Sequence, residues 1–203
     1  RIGGFGDRGL YGVRIEDNIM RMHSSRTNTR DAIVLQGADD SRIIGNTVTG
    51  PIRGLFLGGT SLDESAKNVL IEGNNFTGEG LTGVPIRGME INNARNITIR
   101  GNTISNYKDE AILISNTKPD NLFGYTITDN NLVATDGIEF SCTNPCVSLQ
   151  DVVISDNRID LAGRSGIDAI VLNDVIGAII SNNYIIGTQG GVEGLVTSGL
   201  TNK

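Results

Sequence analysis

Val69-Leu70-Ile71-Glu72-Gly73-Asn74-Asn75-Phe76-Thr77 and Ile97-Thr98-Ile99-Arg100-Gly101-Asn102-Thr103-Ile104-Ser105 are one phrase written twice, 28 residues apart. In each, apolar residues stand five and three positions before an Asn, and another stands two after it. The phrase extends outward to Asn18, Asn46, Asn74, Asn102, Asn130, Asn157 and Asn182, with gaps of 28, 28, 28, 28, 27 and 25 residues. Three positions before these Asn residues stand Ile15, Ile43, Ile71, Ile99, Ile127, Ile154 and Ile179. Two positions after them stand Met20, Val48, Phe76, Ile104, Leu132, Ile159 and Tyr184. Inward and outward residues alternate on both sides of the Asn, so each copy predicts two short strands joined by a bend.

A second block precedes most copies: a small residue, an apolar one, any residue, then an apolar one. Gly54-Leu55-Phe56-Leu57, Gly88-Met89-Glu90-Ile91, Ala111-Ile112-Leu113-Ile114 and Gly137-Ile138-Glu139-Phe140 are examples. Three short strands in a repeat of about 27 residues predict one coil of an all-β parallel solenoid. About seven such coils stack their Ile residues and align the Asn amides as an internal ladder. The whole chain, 1–203, reads as a single β-helix domain. It begins with Arg1 and shows no signal peptide, so it is expected to be a fragment or processed part of a larger protein.

Between Val13 and Thr197 the repeat resembles the right-handed parallel β-helix of the pectate-lyase-like superfamily. That resemblance implies a right-handed single-stranded β-helix. Its members include polysaccharide lyases, polygalacturonase-like hydrolases, alginate epimerases, phage tailspikes and non-catalytic surface adhesins, and the fold does not choose among them. Thr135-Asp136-Gly137-Ile138 resembles an Asp-bearing motif of the polygalacturonase-like hydrolases. The Gly-His-Gly and Arg-x-Lys motifs of that family are absent, as is the Asp-Pro-His-Asp motif of the epimerases.

Composition narrows the function. A net charge of -6 gives no basic face for nucleic acid. No apolar run reaches the roughly 18 residues of a membrane span. Trp is absent, aromatics are 4% and His23 is the only histidine, so any chemistry must rest on carboxylates and arginines. His23 sits in a polar stretch and reads as a solvated loop residue.

Outward positions carry the functional expectation. One outward column reads Asp31, Arg53, Arg87, Glu110, Asp136, Asp168 and Glu193. Beside it runs Val34, Phe56, Glu90, Leu113, Glu139, Val171 and Val196, a column too apolar to face water bare. Carboxylates stacked on neighbouring coils raise a pKa, bind a cation such as calcium, or splay into water. Paired carboxylates suit glycosidic chemistry. Glu110, Asp136 and Asp168 are therefore the candidate catalytic residues, and Arg53, Arg87, Glu90 and Glu139 the candidate substrate-binding residues. No cofactor is required by this pattern.

Cys142 and Cys146 flank Thr143-Asn144-Pro145 and predict a small disulfide loop, hence an oxidising compartment. The expected function is a secreted or surface-exposed β-helix, extracellular or on a cell or virion surface, that binds polysaccharide and, if it is an enzyme, cleaves it as a hydrolase or lyase. The alternative is a non-catalytic structural or adhesive solenoid within a surface fibre or assembly. Expected partners are polysaccharide and further copies of the chain, in a trimer or an end-to-end stack.

Overall fold

The computed structural model describes residues 2–3, 10–22, 31–59, 65–78, 87–117, 122–142, 148–161, 168–187 and 196–198. They form an all-β solenoid whose strands are all paired in parallel. Three faces surround one core. The first face stacks Asp31–Gln36, Arg53–Gly58, Arg87–Asn92, the second halves of Thr103–Asn116 and Asn131–Cys142, Ile170–Asn173 and Val196–Ser198. Ile2–Gly3 pairs with Leu35 and Gln36 at its start.

The second face, which leads into the Asn, stacks Arg14–Glu16, Arg42–Ile44, Lys67–Glu72, Arg95–Arg100, Leu122–Thr128, Leu149–Ser155 and Val175–Ser181. The third face follows the Asn: Ile19–Arg21, Thr47–Thr49, Asn75–Thr77, the first halves of the two long strands, Arg158–Asp160 and Tyr184–Ile186. Thr103–Asn116 and Asn131–Cys142 run without a break from the third face to the first, where three short strands per coil were expected. Register shifts between Ser105, Tyr107 and Glu110 make the bend.

The Asn ladder exists and has a direction. Asn74 donates its backbone N–H and its Nδ2 to Oδ1 of Asn102, each at 2.9 Å. Asn102 does the same to Asn130, at 2.9 and 3.0 Å. The second Nδ2 proton reaches back one coil, from Asn102 to the Ile71 carbonyl at 3.0 Å. Every polar atom of a buried rung is thus satisfied inside an apolar core, which is the condition for burying it at all. Ile43, Ile71, Ile99, Ile127 and Ile154 stack beside the ladder, fully buried.

The last coil corrects the sequence register by one residue. Asn157 donates to Oδ1 of Asn183, not Asn182. Ile180 aligns with Ile154 and Ile185 with Ile159, so Ile179 and Tyr184 point outward, 61% and 66% exposed. The residue before each ladder Asn shows the reason. It has positive φ in every coil: Asp17, Gly45, Gly73, Gly101, Asp129, Asp156 and Asn182. Asn tolerates that left-handed conformation, so Asn182 takes the bend and Asn183 takes the rung. A one-residue slip moves every side chain of a strand to the opposite side.

The small residue of the second block is imposed by stacking. A Cβ on Gly88 would lie 2.5 Å from the Ala111 carbonyl oxygen, and one on Gly137 would lie 2.1 Å from that of Ala169. These glycines let successive first-face strands close up where the charged column begins.

Candidate functional site

The charged column is real and lies on the first face. Asp31 pairs in register with Arg53, Arg53 with Arg87, and Glu110 with Asp136. Asp168 stands one coil beyond Asp136, its carbonyl accepting the Gly137 N–H at 3.2 Å. Glu193 lies outside the described residues, as do His23 and Cys146. Glu110 and Asp136 sit on the two continuous strands, so the backbone carries them onto the face directly from the strand before.

The neighbouring column runs Val34, Phe56, Glu90, Leu113, Glu139 and Val171 in register. Its apolar members are partly covered. Leu113 is 8% exposed between Glu90 and Glu139, and the Arg53 guanidinium lies 4.1 Å above the Phe56 ring. Val196, the last of that column, carries no described side chain.

Both arginines are engaged by carboxylates. Arg53 grips Asp31 with two parallel bonds, Nε to Oδ1 at 2.9 Å and Nη2 to Oδ2 at 2.7 Å. Its Nη1 donates to Glu90 Oε2 at 2.6 Å. Arg87 donates from Nη1 to the same oxygen at 3.2 Å, and from Nε to Glu110 Oε2 at 2.7 Å. Asn92 Nδ2 donates to the other Glu90 oxygen at 3.2 Å. The chain Asp31–Arg53–Glu90–Arg87–Glu110 therefore crosses four successive strands of the face. Sequence columns placed these residues together but could not show that both guanidiniums converge on Glu90.

The electrostatics differ along this chain. Burial pushes Glu90 up, but the charges of Arg53 and Arg87 and the bonds they donate outweigh it, and the carboxyl lies below its ordinary range. The same pairings hold both arginines above their ordinary value against the cost of burial. Glu139 goes the other way. Burial, the Glu110 charge and a side-chain hydrogen bond with Glu110 raise it; Arg87 opposes this and Asp136 adds to it. Glu139 thus holds its proton to a higher pH than an ordinary glutamate does. The sequence placed Glu139 among binding residues, and the column gave no sign that it reaches Glu110.

Among the described residues no group of three or more His, Cys, Asp or Glu is arranged to hold a metal ion. No helix there is long and apolar enough to cross a membrane. Cys142, at the end of the strand that carries Asp136 and Glu139, is disulfide-bonded.

A parallel solenoid with a Asn ladder inside and a carboxyl cluster outside defines a β-helix protein with its polar chemistry on one face. The family model described as the right-handed β-helix region matches residues 31–202, and the chain belongs to that family. No protein of curated function matches the sequence. Among solved structures it is similar to the Streptococcus pneumoniae surface protein and adhesin PfbA, with 11% identity and a TM-score of 0.42 over 94% of this chain and 66% of that one. A weaker similarity is to QnrB1, a plasmid-mediated fluoroquinolone resistance protein, with 7% identity and a TM-score of 0.15 over 87% of this chain and 91% of that one.

Proposed function

We propose that this β-helix binds polysaccharide along its first face and cleaves it at the Glu110–Asp136–Glu139 cluster. The observation that carries this reading is the cluster of three carboxyl groups on two neighbouring strands, Glu110 in register with Asp136 and Glu139 opposite Leu113, in which burial and the Glu110 charge raise Glu139. Glycoside hydrolysis needs one carboxyl group that keeps a proton for the leaving oxygen and a second that acts on the sugar carbon or on water. Glu139 serves as the acid. Asp136 is the second carboxyl group, Glu110 positions the Glu139 proton, and Asp168 extends the acidic side by one strand.

The arginines narrow the substrate. Both guanidiniums are occupied by Asp31, Glu90 and Glu110, so an anionic sugar would have to break those pairs. Sugar hydroxyls can donate to the face without breaking them, which favours a neutral polysaccharide. The disulfide at Cys142 supports an oxidising, extracellular or surface location.

A second reading, a non-catalytic adhesive or structural solenoid, draws on the same pairs. A face whose two arginines each bind two carboxylates is braced as well as polar.

Incubation with a panel of neutral and acidic polysaccharides, read as newly released reducing ends, separates the two. Cleavage by the wild type and none by folded Glu139→Gln or Asp136→Asn supports the enzyme. Equal, background-level release by all three excludes it and leaves the non-catalytic reading.

A further inference from the structure

Glu110 faces Asp136 in register on the neighbouring strand. Like charges directly opposite each other repel, so a glutamate there turns aside unless something holds it. Arg87 holds it, donating from Nε to Glu110 Oε2 at 2.7 Å. The backbone brings the two side chains together. Gly88 follows Arg87 and Ala111 follows Glu110, and a Cβ on Gly88 would lie 2.5 Å from the Ala111 carbonyl oxygen. The two strands therefore close up beside the pair.

Arg87 is itself fixed from the other side. Its Nη1 donates to Glu90 Oε2 at 3.2 Å. The same oxygen accepts from Arg53 at 2.6 Å, and Asp31 grips Arg53 with two parallel bonds. Asn92 holds the second Glu90 oxygen. A planar guanidinium with one nitrogen on an anchored carboxylate and another on Glu110 dictates where the Glu110 carboxyl group lies. The side chains of Glu90 and Glu110 are each 13% exposed, so water competes little for these bonds.

The sequence columns set Arg87 among the substrate-binding residues, and its bonds give it a different task. We propose that Arg87 is a positioning residue, which sets the Glu110 carboxyl group against Asp136 and Glu139 and makes no contact with the sugar; the role rests on the cleavage reading above.

Two variants test it. Arg87→Lys keeps the charge but has one nitrogen and cannot span Glu90 and Glu110 as a planar fork. Arg87→Met removes the charge as well. Circular dichroism checks that both keep the wild-type β spectrum. Rates are measured on the panel polysaccharide that the wild type cleaves fastest, and Glu139 is titrated by carboxyl-carbon NMR without substrate. Both variants should lower kcat by roughly 10- to 100-fold with KM unchanged, the mark of a misplaced group rather than a lost substrate contact. Glu139 is influenced by Glu110 on the adjacent strand, Arg87 on the strand beyond and Asp136 on its own strand, with Val171 beside it on the other side. Arg87 is the member of that set that lowers Glu139. The Glu139 midpoint and the alkaline limb of the kcat profile should therefore move to higher pH in Arg87→Met and stay near wild type in Arg87→Lys. A raised KM with unchanged kcat makes Arg87 a substrate contact and overturns the proposal. So does a wild-type kcat in both variants, or an unmoved Glu139 midpoint in Arg87→Met. No cleavage by the wild type instead removes the cleavage reading, and this role falls with it.

Discussion

Glu139 lies one strand from Glu110 on the same face and is held above the ordinary glutamate range by burial first and by Glu110 second. Glu90, on the other side of Leu113, is held below that range because Arg53 and Arg87 both reach it. Two glutamates in one column thus sit in opposite protonation environments, two coils apart.

The first prediction follows from the sign of the Glu139 shift. A raised acid binds its proton more tightly in the folded protein, so its contribution is complete below the unfolded value, about 4.3. It is lost as the pH rises through the folded value. Glu139→Gln removes that loss. The variant should gain stability relative to wild type between pH 4 and pH 8, while losing any polysaccharide cleavage. Urea melts at the two pH values measure the gain, and an unchanged difference would count against a raised Glu139.

Glu90 predicts the reverse. Its depressed carboxyl adds stability above the ordinary value, and that stability is lost as pH falls through the folded value. Glu90→Gln should therefore destabilise more at pH 7 than at pH 3. Denaturant midpoints at both pH values report it.

Asn102 tests the ladder. Asn102→Ala takes from the Asn74 backbone N–H and one of its Nδ2 protons their acceptor in the core, and removes the bond to the Ile71 carbonyl. With each unsatisfied buried group costing about 1–3 kcal/mol, the loss should exceed roughly 2 kcal/mol. The exposed Asn75→Ala, on the third face, should cost less than about 0.5 kcal/mol. Similar midpoints for both variants would contradict the ladder as a main support of the fold.

The last coil gives a register test. Asn182→Gly keeps the positive φ of 54° and should be nearly neutral. Asn183→Ala removes the acceptor of the Asn157 backbone N–H and Nδ2 and the bond to the Ile154 carbonyl, so it should lower the melting temperature. The opposite ranking would restore Asn182 to the ladder.

Gly88→Val places a branched side chain where even a Cβ meets the Ile104 methyl at 2.3 Å and the Ala111 carbonyl at 2.5 Å. Overpacking of this kind costs about 1–3 kcal/mol. Thermal unfolding should show it, since the obstructing atom on one side is backbone and cannot swing away.

Most of the fold was legible because inward positions repeat. Ile43, Ile71, Ile99, Ile127 and Ile154 occupy equivalent places, and only stacked coils give a sequence reason to keep Ile three residues before Asn. The last coil was misread because Ile179 and Ile180, and Asn182 and Asn183, each offer two adjacent matches. The resolving signal was the run Ala178-x-Ile180-x-x-Asn183-x-Ile185, which matches Val152-x-Ile154-x-x-Asn157-x-Ile159. The site was legible as two columns but not as a network. Periodicity tells which way Cα–Cβ points, whereas the meeting of Arg53 and Arg87 at Glu90, and of Glu139 with Glu110, depends on how long side chains lie across the face.

The central claim, that burial and then the neighbouring Glu110 raise Glu139 above an ordinary glutamate, is tested most directly by carboxyl-carbon NMR titration of Glu139 in wild type and Glu110→Gln. The account predicts a Glu139 midpoint above that of an ordinary glutamate. In Glu110→Gln the midpoint should fall and yet remain raised, since burial is the larger cause. A Glu139 that titrates as an ordinary glutamate in both proteins would contradict it.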